Sequence, residues 1–306
     1  MHHEINRLIP YRPVGPQRIV CLSPETVEWL YMLGQQERIA AVCADALRPS
    51  QARVEKMRLR IGRDPQLIEH ILSVQPDLVL GFSERMAETA AELVRRGVPV
   101  MICSQRSVAE IFETLQQLAG LLNVHFRAET VLQQLKNHLL HIANHANEYT
   151  AEGFPVPRVY FEEFGDPPVS GVRWVSELIR IAGGQDIFPD LAVKPDQGDR
   201  LVDMRQLRRR APDIIIGAWR GFSVDRVMTR PGWDALPAVR DRQVFGVAFA
   251  EILAPGPAAL TDGAAHLADI ISDWRHEHSP IEETSSQMAV QEAAATGSAL
   301  TQHPET

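Results

Sequence analysis

Between Gly120 and Gly153 the chain has neither glycine nor proline, and Val124, Ala128, Val131, Leu132, Leu135, Leu139, Ile142 and Ala146 recur at steps of three or four. That period is one face of a helix. It predicts a helix over Asn123–Tyr149, with Asn123 as its N-cap. At about 1.5 Å per residue the helix would run roughly 40 Å, the width of a domain. Its flanks repeat one pattern. Residues 75–82 read QPDLVLGF and residues 211–219 read APDIIIGAW. In each, Pro-Asp stops a preceding helix. A β-prone apolar run then predicts a buried parallel strand, and glycine opens a loop beside an aromatic. Further strands are expected at 18–22, 39–43 and 98–103 in the first half, and at 158–163 and 243–247 in the second. The expected fold is α/β: two similar lobes joined by one long strut. A ligand cleft lies between them, because open α/β sheets bind ligands beyond the carboxyl ends of their strands.

This divides the chain into a proline-punctuated lead-in (1–17), an N-terminal α/β lobe (18–122), the connecting helix (123–150), a C-terminal α/β lobe (151–278) and a tail (279–306). The tail is rich in Ser, Thr, Glu, Gln and Ala without periodicity, and is expected to be disordered. A length of 306 residues with 45% hydrophobic and 23% charged residues suits two globular domains. The net charge of −8 disfavours a nucleic-acid partner. Cys21, Cys43 and Cys103 sit in strand-like apolar runs with no C-x-x-C, so neither a disulfide framework nor a thiolate metal site is expected. The first residues, MHHEINRLIPYRPVGPQ, lack the apolar core of a signal peptide, and no stretch approaches a membrane span. As written the chain is expected in the cytoplasm; a trimmed start would place it outside.

Catalytic signatures are missing. There is no P-loop, G-x-S-x-G, H-E-x-x-H or G-x-G-x-x-G, and no nucleophile with a paired base. Glu162 and Glu163 are adjacent on a strand and face opposite sides, so they do not form a close acid/base couple. His138, His141 and His145 share a face of the strut, but no carboxylate or cysteine converges on them; a solvated face is expected there, not a metal centre.

Several ordered motifs then carry a resemblance: RIVCLSP at 18–24, LIE at 67–69 with QPD at 75–77, the central helix, DPPVSG at 166–171, IAGGQDIF at 181–188 and APD at 211–213. Together they resemble the substrate-binding proteins of ABC importers for vitamin B12, siderophores and haem, over about Arg18–Trp274. That family has two Rossmann-like lobes on one backbone helix. Tyr160–Glu163 and Ser170, Gly171 and Trp174 look most like its cobalamin-binding branch. The resemblance implies a non-catalytic binding protein, a monomer with no resident cofactor, whose ligand is cobalamin or a related corrinoid. It implies docking on a membrane permease through one acid per lobe. Glu69 matches the first acid, whereas Arg205 stands where the second is expected, with Asp203 nearby. Aromatic positions of the vitamin pocket fall on Arg63 and Val169; Phe82 keeps its ring.

Loops after the strands nominate the cleft walls: Ser23, Pro24, Gly62, Arg63, Phe82 and Ser83 from the first lobe, and Phe164, Asp166, Ser170, Trp174, Trp219, Arg220 and Phe249 from the second. Aromatic area with a few polar groups suits a large, partly apolar ligand. Trp174 is balanced between core and cleft, while Phe82 and Trp219 favour the cleft. Only small closure is expected, because the strut limits motion. Three other readings stand beside this one. A siderophore or haem receptor would be favoured by a basic cleft. A cytoplasmic enzyme descended from the fold would be favoured by a converging acid/base pair. A partner-binding module would use the tail and the Arg208–Arg210 face.

Overall fold

The computed structural model describes residues 14–62 and 65–279. Residues 1–13 of the lead-in, Arg63 and residues 280–306 of the tail lie outside it.

The N-terminal lobe is a fully parallel sheet of β1 (Ile19–Cys21), β2 (Ile39–Cys43), β3 (Met57–Leu59), β4 (Leu78–Phe82) and β5 (Val100–Cys103), in the order β3-β2-β1-β4-β5. Its helices include α1 (Pro24–Met32), α2 (Ser50–Glu55), α3 (Leu67–Ser73), α4 (Ala87–Arg95) and α5 (Val108–Leu122). The strut is α6 (His125–Ala151), 27 residues long, and it buries Ala128, Val131, Leu135, Leu139, Ile142 and Ala146, the stripe read from the sequence. In the C-terminal lobe β6 (Arg158–Gly165) is central. It pairs in parallel with β9 (Ile214–Gly217), which pairs with β10 (Val244–Gly246). On the other side of β6 lie antiparallel β7 (Pro168–Ser170) and the short parallel β8 (Gln185–Asp186). Helices α7 (Arg173–Ile181), α8 (Met204–Arg210) and α9 (Ala264–Glu277) cover it, with shorter turns between.

Asn123 does not cap the strut. It takes a left-handed conformation, φ 55°, and ends α5, its amide donating to Ala119 and Gly120 carbonyls. A left-handed residue after a helix's last turn satisfies carbonyls that have no intrahelical partner. Asparagine tolerates that backbone, so the same residue type fits either end of a helix.

The repeated Pro-Asp has a role beyond stopping helices. Asp77 accepts from the amides of Gln17 (2.6 Å) and Arg18 (2.8 Å) at the start of β1. Asp213 accepts from the Arg158 amide at 2.8 Å, and from its guanidinium at 2.9 and 2.7 Å, at the start of β6. Each aspartate begins one strand and clasps the first residues of the next. Gln75 and Ala211, the residues before each proline, both have positive φ (47° and 44°). The two lobes thus share one device at equivalent places.

The lobes are not separate bodies strung on a helix. One cluster of buried side chains runs from Ile19, Leu80 and Leu115 through Leu135 and Leu139 of α6 to Val159, Leu178 and Ile271. Polar bonds cross the same seam. The Val108 amide at the start of α5 donates to Glu177 of α7 at 2.8 Å, where a carboxylate suits the helix dipole. Gln105 Nε2 donates to the Pro255 carbonyl at 2.7 Å. Arg48 pairs with Asp262. Arg275 of α9 is 1% exposed, and its guanidinium donates to the carbonyls of Ala146 (2.8 Å) and Gly183 (2.7 Å), tying the end of the strut to α9 and to the glycine turn after α7. Gly183 has φ +88°, and a Cβ there would lie 2.8 Å from that of Ala146, so the turn admits only glycine.

Asp213→Ala should lower the stability of the fold by on the order of 2 kcal/mol, because it leaves the Arg158 amide and guanidinium without their acceptor. The exposed pair Arg220–Asp45, 3.1 Å apart with both side chains about two-thirds exposed, should differ: Asp45→Ala should shift stability by under about 0.5 kcal/mol. Thermal melts of the two variants at one pH test the contrast.

Candidate ligand-binding cleft

Between the lobes, at the carboxyl ends of β1, β4, β5 and β6, lies a cleft of about 470 Å³. Ser23, Pro24, Phe82, Ser83, Trp174 and Phe249 line it, as the strand-end argument places them. Phe82 ends β4, and Ser83 follows with φ 70° and ψ 163°. That region belongs to glycine, and a serine held there costs on the order of 1–3 kcal/mol. The Ser83 amide is fixed on the Cys103 carbonyl at 2.8 Å, which holds this strained turn at the cleft wall. Trp174 serves core and cleft at once. It is 5% exposed, belongs to the shared core, and its indole donates to the Ile252 carbonyl at 2.9 Å.

The other nominated residues lie elsewhere. Gly62 faces a different hollow with Leu67, Glu88 and Glu92. Phe164 and Asp166 are exposed at the β6–β7 turn. Ser170 is buried in β7 beside the cleft wall, its carbonyl accepting from Arg200 at 2.7 Å. Trp219 belongs to the core of the C-terminal lobe: it meets Phe222 edge-on at 4.6 Å and fills the space over Gly165, where a Cβ would come within 2.7 Å of the indole. Arg220 stands outside the cleft, reaching across to Asp45 and lying 5.4 Å from the ring centre of Phe249. Arg63 lies outside the described residues.

The two glutamates of β6 separate as their alternation requires. Glu162 is fully buried on the lobe side, held by Arg230 at 2.6 and 2.8 Å and by the Tyr160 hydroxyl at 3.3 Å. Glu163 lines the cleft. Pairing with β7 passes from Glu162 to Phe164, so Glu163 is the extra residue of a β-bulge, a device that re-aims a side chain. It pairs with Arg200, itself 3% exposed and also on the cleft wall.

Other lining residues were not nominated, although Glu25, Gln105 and Arg106 lie just past the ends of β1 and β5. Gln105 and Arg106 lie on the loop into α5, and Ser107 caps that helix by accepting from the Glu110 amide at 3.2 Å. Residues 192–197 also line the cleft. Glu25, in the first turn of α1, forms part of the floor and is 2% exposed. Gly256 packs directly on it, so close that a Cβ at 256 would stand 2.4 Å from the Glu25 Cβ. In all, five acidic and five basic residues line the cleft.

The cysteines are buried free thiols. Burial pushes Cys43 up to about 12 and Cys103 up to about 11, so none is a reactive thiolate at neutral pH. On the strut, His138 meets the Thr261 carbonyl at 3.3 Å and His145 packs edge-on to Tyr149. Among the described residues no group of three His, Cys, Asp or Glu is arranged to hold a metal ion, and no helix is long and apolar enough to cross a membrane. Glu69 and Arg205 are both exposed; Glu69 pairs with Arg96 at 3.2 Å. Of the arginine run, Arg208 donates to the Gly232 carbonyl at 3.0 Å and Arg210 pairs with Asp190 while stacking on Phe188.

Two α/β lobes, one with a parallel and one with a mixed sheet, joined by one backbone helix with a cleft of mixed aromatic and polar lining between them, are the architecture of a two-lobe solute-binding protein. The chain belongs to the periplasmic binding protein family, whose model matches residues 19–249. It is 28% identical to a vitamin B12-binding protein of Pectobacterium atrosepticum over 206 residues, 66% of this chain and 71% of that one. Its fold matches that of the periplasmic vitamin B12-binding protein of Vibrio cholerae (TM-score 0.67, 21% identity, 86% of this chain and 99% of that one). It equally matches a periplasmic haem-binding protein from Roseiflexus sp. RS-1 (TM-score 0.67, 24% identity, 84% and 100%). These relatives are binding proteins and not enzymes.

Glu25 and Glu28 give the fold a pH dependence. Burial pushes each carboxyl from 4.5 up to about 7; Arg48 opposes the shift at Glu28. Below about 4.5 both are protonated in folded and unfolded chains alike, and their contribution to stability is fully present. Between 4.5 and 7 the unfolded chain releases protons that the folded chain keeps, so stability falls as pH rises. Melting temperature should therefore drop from about pH 5 to about pH 8. Glu25→Gln should make that drop shallower, by on the order of 2 kcal/mol. Equal slopes for the variant and the wild type in melts across that range would remove Glu25 from the account.

Proposed function

We propose that this protein binds a cobalamin-like corrinoid in the inter-lobe cleft, non-covalently, for uptake or handling of that ligand. The observation that carries the reading is the charge balance of the cleft. With acidic and basic residues in equal number, it offers no net attraction to a polyanion. An anionic ferric siderophore, or haem with two carboxylates, would be better served by an excess of cations. A large chelate with an apolar macrocycle and a neutral, hydrogen-bonding rim suits a wall of Phe82, Trp174 and Phe249 with polar groups between. The B12-binding relative supports the same ligand class. Site membership follows the cleft: Ser23, Pro24, Phe82, Ser83, Trp174 and Phe249 contact the ligand, joined by Glu163 and Arg200. In this reading the protein works outside the cytoplasm and delivers its ligand to a permease, docking through Glu69, with Arg205 making the second contact basic where the family pattern is acidic.

Calorimetric titration with cyanocobalamin and cobinamide, alongside haem and a ferric siderophore, tests the proposal. Micromolar or tighter corrinoid binding is expected. Phe82→Ala should weaken it about tenfold, the equivalent of roughly 1.4 kcal/mol of lost ring contact, with the melting temperature held. Binding of a ferric chelate with no corrinoid binding would replace the ligand and leave the family assignment untouched.

A further inference from the structure

Three polar atoms on residues lining the cleft have no partner in the protein, although their side chains are almost wholly buried: Glu25 Oε1, Gln105 Oε1 and Arg200 Nε. Their residues are 2%, 3% and 3% exposed. A buried polar atom without a partner costs on the order of 1–3 kcal/mol, and most buried polar atoms in proteins are bonded. All three belong to residues that line one cavity, contributed by both lobes.

Their chemistry is directional. Gln105 donates through Nε2 to the Pro255 carbonyl at 2.7 Å, so its free end is the amide oxygen, an acceptor. Glu25 has no cation bonded to it; its carboxyl bonds to Ser23 and to its own backbone amide, and Gly256 packs against its Cβ. The N-terminal lobe therefore contributes two acceptors to the floor. Arg200 faces them from the other lobe with its charge already met by Glu163 and a second bond spent on the Ser170 carbonyl. Both bonds use Nη1, so its Nε–H and its Nη2 group are left to donate elsewhere.

We propose that Glu25 and Gln105 form a hydrogen-bond-accepting subsite that takes the N–H groups of primary carboxamides on the ligand rim, with Arg200 Nε donating to an amide carbonyl. Primary amides carry both donor and acceptor and no charge, which matches this set. A carboxylate in the same place would set its lone pairs against the two acceptors, Glu25 and Gln105. The inference rests on the cleft being the ligand site, and it deepens that reading by naming the rim chemistry the cleft selects.

The test compares ligands that differ only by amide against carboxylate. The wild-type protein, Glu25→Gln and Gln105→Met are titrated at about pH 8, above the range in which folded Glu25 keeps its proton, with cyanocobalamin, with each of its monoacids in which one carboxamide has been hydrolysed, with haem, and with the haem bis-amide. Glu25→Gln keeps the shape of the side chain and removes a buried charge. Should it fail to fold by thermal melt, Gln105→Met carries the comparison. In the wild type at least one monoacid should bind about tenfold weaker than the parent, and in Glu25→Gln that penalty should shrink to under about threefold. All monoacids binding within about threefold of the parent in the wild type, or an unchanged penalty in the variants, overturns the subsite while the corrinoid reading stands. If no corrinoid binds but the haem bis-amide binds about tenfold tighter than haem, the corrinoid reading fails and the subsite stands. If haem is the tighter of that pair, or no probe binds, both are overturned.

Discussion

The structure depends on one constraint: the two lobes share a single core. The buried stripe of the strut is packed on one flank by α5 and on the other by α9 and α7, so the apolar cluster passes from one sheet to the other without a break. Burial of this kind is worth roughly 25 cal/mol per Å² of apolar surface. A hinge at this seam would have to expose part of it. The seam is also stitched by directional bonds, Gln105 to Pro255 and Val108 to Glu177, each crossing between lobes. The cleft therefore opens on one side of a fused body and has a fixed back wall. Outside the cleft, Arg220 meets Asp45 of the other lobe in an exposed and weak contact.

Much of the fold was legible because its signals are long or repeated. The strut was read from eight apolar positions over an uninterrupted stretch. The lobes were read from the duplicated Pro-Asp-strand-Gly pattern. What stayed hidden was short or ambiguous. β3, β7 and β8 are two or three residues long, too brief for alternation to register, and β3 leaves Met57 and Arg58 exposed. Asn123 was placed at the wrong helix end because a residue with a capping side chain and tolerance for positive φ suits both. Nor could sequence show that the two aspartates act by clasping Arg18 and Arg158, since that bond depends on the register of neighbouring strands.

The cleft was legible to the extent that strand ends define it. Ser23, Phe82 and Ser83 follow from β1 and β4, and Trp174 from the Ser170–Gly171 turn before α7. Trp219 follows β9 in the same sequence pattern that places Phe82 after β4, yet its ring turns inward. The difference is local: Gly165 of β6 leaves a space that only the indole fills, and Phe222 closes over it. Glu163 was visible only as one of two adjacent acids, and the bulge decides which way it points. Glu25, beside Ser23 and Pro24, and Gln105, two residues past β5, lie within reach of the strand-end rule but were not nominated. One reads as an ordinary first-turn acid of a helix and the other as a loop polar residue, and both become floor groups only because the Ala254–Pro257 segment, far along the chain, closes over them.

That closure bears on why the floor is polar at all. An apolar residue at position 25 would pack under Gly256 without the desolvation of a carboxyl, and the fold would lose only local bonds at the start of α1, to Ser23 and to the residue's own amide; Glu25 bridges no cation across the seam. The arginine pairs elsewhere in the molecule, Arg158 with Asp213 and Arg230 with Glu162, are compensated and bonded at several atoms. Glu25 is the contrasting case, a buried acid with a free oxygen at the base of a cavity. Buried polar groups left incomplete in the folded protein are costly, and Glu25, Gln105 and Arg200 of the cleft lining each carry one such atom. The cost of holding Glu25 dry is then offset only when a donor arrives. A weak-binding surface becomes a selective one by this means, because a ligand without that donor leaves the cost in place.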